Sequence, residues 1–241
     1  MQYRRLPKTD KTRIKTLKTM IDLEHIRGYQ NLPFSLAKLN KAKSQLVVFE
    51  GKLKLLQEIN SFWKKGNIRY RSVTKKLRLY ISHFIQVYNM AMTRGEFNAD
   101  GRQFYNLPQS DNNVPKLLTD KQLMEWGKNL IEGERNRVFK GGPPMVNPTI
   151  GNLKVHYDIF MDMYFEQQTK LDHFKRIKTQ VIEEQNNVDN LIRQMWNEIE
   201  DFYRKLPVNK KIEECKNCGI IYYLRNNGNK KDKVLYEIPF K

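Results

Sequence analysis

From Thr9 to Gly28 the apolar positions Ile14, Leu17, Met20 and Ile21 recur at three- and four-residue steps. That spacing predicts a helix with Thr9 or Asp10 as N-cap and Gly28 as its stop. Pro33 separates it from a second predicted helix that begins near Ser35 and ends at Gly66. Its heptad core positions read Leu39, Ala42, Leu46, Phe49, Leu53, Leu56, Asn60 and Trp63, a coiled-coil-like seam. A third helix, from about Ser72 to Arg94, carries an apolar face too wide for a two-stranded coil and should sit against two neighbours.

Residues 95–118 hold Gly, Asn, Asp and two prolines and read as a long connection, of the kind that is functional or wraps a fold. A fourth helix is announced by a capping box, Thr119 with Gln122, and by Leu118 and Leu123 as a hydrophobic staple. It fades near Val138 into KGGPPMVNPT, where Asn147 and Pro148 look like the cap and first turn of the next helix.

From Asn152 to Leu206 there is neither Gly nor Pro, and an apolar seam runs from Ile150 through Leu153, Phe160, Val181 and Val188 to Phe202 and Leu206. Unbroken, a helix over 148–206 would be roughly 85 Å long. Polar Gln167, Lys178 and Gln185 interrupt the seam and Asn186-Asn187 follows, so the sequence leaves open whether this helix is continuous or breaks near 185–187. At the end the period changes. Ile220–Leu224 and Val234–Ile238 flank Asn226-Asn227-Gly228-Asn229, a β-hairpin signature, and a lone hairpin must pack on the bundle or add to another sheet.

The expected fold is all-α: an elongated bundle of four or five helices over 1–206 with a small C-terminal β-hairpin extension over 207–241. Two Cys in 241 residues exclude a disulfide-stapled module. The stretch MQYRRLPKTDKTRIKTLK has the charges of a signal-peptide n-region without an apolar run behind it, and no run approaches the ~20 residues of a membrane span. A cytoplasmic protein without membrane contact is expected.

Charge changes the picture most. The net charge is +18, and residues 1–80 hold 20 Lys and Arg against 5 Asp and Glu, while the remainder hold 24 against 21. One cluster comprises Arg4, Arg5, Lys8, Lys11, Arg13, Lys15 and Lys18; the other comprises Lys64, Lys65, Arg69, Arg71, Lys75, Lys76 and Arg78, with no acid between Trp63 and Tyr80. Trp63, Tyr70 and Tyr80 are interleaved with the second cluster, a mixture that suits phosphate contacts plus base stacking. A solvated basic surface and an acidic protein partner explain the same composition, and no C2H2, RRM or KH signature is present.

Other chemistry finds little support. Cys215-Lys216-Asn217-Cys218 resembles one knuckle of a zinc ribbon, but zinc needs four ligands and no second knuckle exists. The other reading is a tight turn into the first strand. Asp22-Leu23-Glu24-His25 has no counterpart for a di-iron bundle. Asp158, Asp162 and Glu166 share one face, which the heptad register turns away from the seam. GGPPMVNPT lacks the Walker Lys-Ser/Thr and a preceding strand, so it reads as a turn rather than a phosphate cradle. His83 is expected in the core. An enzyme would need the 95–118 connection and the GGPP turn to form a pocket around His83 or His156.

Three stretches, SHFIQVYNMAMTRGEF (Ser82–Phe97), WGKNLIEGERNRVFKGGPPMVNPTI (Trp126–Ile150) and CGIIYYLR (Cys218–Arg225), with the RLPKTDKTRIKTLK start, resemble an uncharacterised family of helical proteins from Bacteroidetes-type bacteria. The resemblance brings no activity, cofactor or catalytic residue and implies a bacterial or bacteriophage cytoplasmic origin. The functional expectation is therefore a non-enzymatic structural or assembly protein without cofactor or small-molecule substrate. Its basic third and its seams would dock an acidic protein or copies of itself. Nucleic-acid binding through 63–80 is the alternative.

Overall fold

The computed structural model describes residues 2–109, 111–224 and 233–234. Its described residues form five α-helices: α1 (Asp10–Arg27), α2 (Leu36–Thr93), α3 (Asp120–Phe139), α4 (Ile150–Phe202) and α5 (Val208–Asn217). Three short strands, β1 (Gln2–Arg4), β2 (Tyr222–Leu224) and β3 (Lys233–Val234), make one antiparallel sheet in the order β1-β2-β3. None of the helices is long and apolar enough to cross a membrane. The fold is all-α with a small sheet, as the periodicities predict.

Helix α1 starts as expected. Thr9 accepts from the Thr12 amide, the Thr12 side chain answers in a capping box, and Gly28 ends the helix at φ 72°. The two helices expected on either side of Gly66 are one. Gly66 does not stop α2, because no proline follows before Pro108 and the missing Cβ has a use. A Cβ there would overlap the side-chain amide of Gln167 on α4, so this glycine makes room for that side chain between the helices.

Helix α4 likewise runs unbroken through 185–187, where the sequence left its continuity open. A 3.5-residue repeat falls between 177 and 178 and again between 184 and 185. The helix turns Ile177 and Glu184 inward and leaves Lys178 outside. Glu184 is received by Lys52 Nζ at 2.8 Å and by the Gln45 amide, so the seam closes on a paired carboxylate. The cap of α4 is Thr149, whose Oγ1 accepts from the Asn152 amide at 3.3 Å, and not Asn147, which precedes a cis Pro148. The Thr119–Gln122 box caps α3, but Leu118 is 76% exposed and makes no staple.

The chain divides into two compact units, Met1–Glu58 with Lys175–Lys241, and Ile59–Phe174. This differs from the division expected after Leu206, since α2 and α4 each contribute to both units. The first unit packs α1 and the adjoining segments of α2 and α4 around Leu17, Met20, Phe49, Ile192 and Trp196. Helix α5, absent from the sequence expectation, closes this core with Cys215. Strand β2 is paired with β3 as the hairpin signature predicts, and with β1 on its other side, Tyr3 opposite Tyr223. The turn over Asn226–Asn229 and the expected strand residues Leu235–Ile238 lie outside the described residues. The second unit packs its parts of α2 and α4 against α3 around Phe84, Tyr105, Leu130, Leu153 and Phe160.

Candidate functional site: cations and a buried polar network

The 64–78 cluster belongs to the second unit. Lys64, Lys65, Arg69, Arg71, Lys75 and Lys76 are exposed, and none forms an ion pair among the described residues. At 100° per residue they fall into two rows, Lys64, Arg71 and Lys75 in one and Lys65, Arg69 and Lys76 in the other. Between the rows stand Ile68 and Leu79, 74% and 66% exposed. Arg78 departs from the set: its Nε donates to the Leu117 carbonyl at 2.6 Å and fastens the 95–118 connection.

The interleaved aromatics face the other way. Trp63 stacks on Phe174 at 6.2 Å, Tyr70 on Phe160 at 5.8 Å, and Tyr80 lies 4.1 Å from His156. All three are half-buried against α4 and hold the helices together, so they do not present a stacking platform beside the cations. The reason is the register. The aromatic positions continue the seam of α2, and the cations occupy the positions the seam leaves outside.

The N-terminal cluster belongs to the first unit and is largely consumed. Arg4 pairs with Glu200 at 3.0 Å, Arg13 with Asp189 at 2.9 Å, and Lys18 with Glu50 at 2.8 Å. Lys11 is exposed and Lys15 half-buried on α1. The Asp189 carboxylate raises the pKa of Arg13, chiefly through its hydrogen bond.

A second polar assembly was missed. Glu134 and Arg137 of α3 are 2% and 5% exposed. Arg137 Nη2 donates to both Glu134 oxygens, at 3.1 and 3.0 Å, and to the Pro143 carbonyl at 2.6 Å; its Nε donates to Tyr105 Oη at 2.7 Å. Tyr105 Oη donates to Glu134, which also receives the Met145 amide at 2.7 Å. Beside it Arg102, 1% exposed, donates to the Pro108 and Asp111 carbonyls and to the side chains of Asn89 and Asn112. One signal was legible: Leu123, Gly127, Leu130, Glu134 and Arg137 continue one helical register, so a charged pair sits where apolar residues belong.

The GGPP turn and the 95–118 connection do form a cleft, of about 310 Å³, between Phe97, Gly101, Phe104, Arg137, Lys140 and Pro143. Neither His83 nor His156 lines it. His83 is exposed rather than in the core, and burial followed by the Lys76 charge pushes His156 down. The Gly141 and Gly142 amides donate to the Val138 and Arg137 carbonyls, so they terminate α3 and are spent as phosphate donors. Asp158 and Glu166 are exposed and paired with Lys154 and Lys170, each at 2.6 Å, and Asp162 is exposed on the same face.

Cys215 and Cys218 are both fully buried and unbridged, at the end of α5 and at its cap. The described residues bring no group of three or more His, Cys, Asp or Glu together as metal ligands. Burial pushes both thiols up, Cys218 to about 11. At pH 8 about one Cys218 in a thousand is then a thiolate. An aromatic disulfide reagent at pH 8 is expected to modify both cysteines at least 100-fold more slowly in the native protein than in guanidinium. Equal rates would contradict this burial.

No family model matches the chain, and no curated protein and no solved structure matches it.

Proposed function

We propose that this protein is a non-enzymatic assembly protein that docks an acidic protein partner on the outer surface of α2 between Lys64 and Leu79. The observation that carries this reading is the pair of cation rows, free of ion pairs among the described residues, with Ile68 and Leu79 exposed between them. Two flanking rows of positive charge around an apolar ridge suit an amphipathic partner whose acidic residues border an apolar strip. Phosphates would neutralise the same cations but gain nothing from Ile68 and Leu79, which favours protein over nucleic acid. The net charge of +18 opposes a second copy as the partner. The long seams do not supply the docking surface in this reading, since they are spent on packing α2 against α4.

The test is fluorescence anisotropy at 50–300 mM salt with three probes: a designed Glu/Leu amphipathic helical peptide, duplex DNA and single-stranded DNA. The peptide is expected to bind at 150 mM salt, at least tenfold more weakly to the triple variant Lys64→Gln, Arg71→Gln, Lys75→Gln and several-fold more weakly to Ile68→Ser. Peptide binding unchanged by these substitutions would sink the proposal. Duplex binding with a log–log salt slope near about −5, from six phosphate contacts, would replace it with the nucleic-acid reading.

A further inference from the structure

At one end of the first unit four helix termini meet. The Arg27 guanidinium, at the end of α1, donates to Glu214 of α5 at 2.9 Å and to the Tyr203 hydroxyl just past α4. The Ser35 amide, just before α2, donates to Glu198 of α4 at 3.0 Å. These bonds set the connection between α1 and α2 beside the one between α4 and α5. Gly219 lies against Thr19 of α1 while Glu214 lies by Arg27, so α5 runs antiparallel to α1. Its first turn, from Val208, therefore projects past the end of α1.

Large apolar side chains are exposed on all four termini. They are Ile26 on α1, Tyr29 in the turn after it, Leu36 on α2, Phe202 on α4, and Leu206 and Val208 around the start of α5. Ile26 and Val208 are 74% and 71% exposed. Single exposed apolar residues are ordinary, but six around two adjoining connections form a patch. No acid occurs from His25 to Phe49 or from Phe202 to Ile212. Arg27 and Lys38 are committed to Glu214 and Glu198 and supply no free charge. Arg204, Lys205 and Lys210 are exposed, and none has an ion pair or a side-chain hydrogen bond among the described residues. Exposed Asp201 and Glu213 stand at the two ends of that stretch, so the cations lie between them among the apolar residues.

We propose that this end of the first unit docks on a bilayer carrying anionic phospholipids. Ile26, Phe202 and Val208 enter the boundary between headgroups and acyl chains, and Arg204, Lys205 and Lys210 meet the phosphates. Binding of this kind combines apolar surface with positive charge, and each Lys or Arg near an anionic leaflet is worth about fivefold in affinity. Tyr29 suits the same boundary, with an apolar ring and a polar tip. A partner helix is less well served, because no one terminus presents its apolar residues at the three- and four-residue steps that seat one. The expectation of no membrane contact rested on the lack of a spanning run, and lying on a surface needs none. This docking end is in the other unit from the α2 surface and stands or falls independently of it.

The experiment is co-sedimentation of the full chain, at 150 mM salt, with vesicles of phosphatidylcholine alone and of seven parts phosphatidylcholine to three of phosphatidylglycerol. Binding is expected to be at least tenfold stronger to the anionic vesicles. The triple variant Ile26→Ser, Phe202→Ser, Val208→Ser and the triple variant Arg204→Gln, Lys205→Gln, Lys210→Gln should each lose at least tenfold in affinity. Both should keep the melting temperature, because these side chains are exposed. Lys64→Gln, Lys75→Gln in α2 should bind within twofold of the unaltered chain. No binding to the anionic vesicles would overturn the proposal. So would binding that the apolar variant keeps in full, or that the α2 variant loses equally, since diffuse charge would then suffice. A dimer in sedimentation velocity that the apolar variant disperses, in a chain that ignores vesicles, would assign the patch to a second copy instead.

Discussion

Glu134→Gln is expected to destabilise the unit formed by Ile59–Phe174 by about 3–5 kcal/mol, although it changes one side-chain atom. The carboxylate sits at 2% exposure and takes charge-assisted bonds from Arg137, with further donation from Tyr105 and the Met145 amide. Neutralising it leaves the Arg137 guanidinium buried without a counter-charge, which is where the large cost of breaking an internal ion pair comes from. The net worth of the intact pair is much smaller, because forming it desolvated both ions. A Glu134→Leu, Arg137→Met double variant should therefore be less damaged than Glu134→Gln alone. Thermal unfolding followed by circular dichroism should show a fall of roughly 10 °C for Glu134→Gln. A fall below about 2 °C would mean that the charge is not held as tightly as its burial requires.

Arg102→Ala is expected to cost about 2–4 kcal/mol, and to do so locally. One fully buried guanidinium serves four acceptors, the Pro108 and Asp111 carbonyls and the Asn89 and Asn112 side chains, and its loss strands them together. The acceptors on the 95–118 connection can recover water by opening, so the measured sign is proteolysis as well as a lower melting temperature. Proteinase K should cut between Asn106 and Lys116 at least tenfold faster in the variant. Arg102→Lys should rescue little, since an ammonium cannot reproduce the planar fork. Cleavage at the wild-type rate would show that Asn89, which donates to the Asn112 carbonyl at 2.6 Å, and Arg78 suffice to hold the segment.

The elements themselves were legible wherever a periodic pattern met a cap. Thr9 and Gly28 bound α1, and Thr119 with Gln122 starts α3, because each satisfies backbone groups within a few residues of itself. The seam from Leu39 to Trp63 likewise faces inward as the spacing says. Errors arose where the deciding atom lay on another element. Gly66 reads as a stop until Gln167 is seen against it, and Leu118 reads as a staple until its exposure shows that Arg78 holds the neighbouring carbonyl instead. Helix α5 was hidden by its length, ten residues after Pro207, too short for a period to show.

Charge divides in the same way. Composition alone placed the excess of cations in the first third, yet it treated the residues of each cluster as equivalent. Pairing with remote carboxylates separates them: Arg4, Arg13 and Lys18 are committed to Glu200, Asp189 and Glu50, while the row from Lys64 to Lys76 is free of ion pairs among the described residues. The sequence by itself determined the helical periods, the caps and the sign of the surface, since these depend on neighbours within one or two turns. Only the tertiary structure decided which cations remain available, which aromatics are spent on packing and where Glu134, Arg137 and Arg102 meet. Burial and ion pairing are properties of partners brought together across many residues of chain, and local spacing does not encode them.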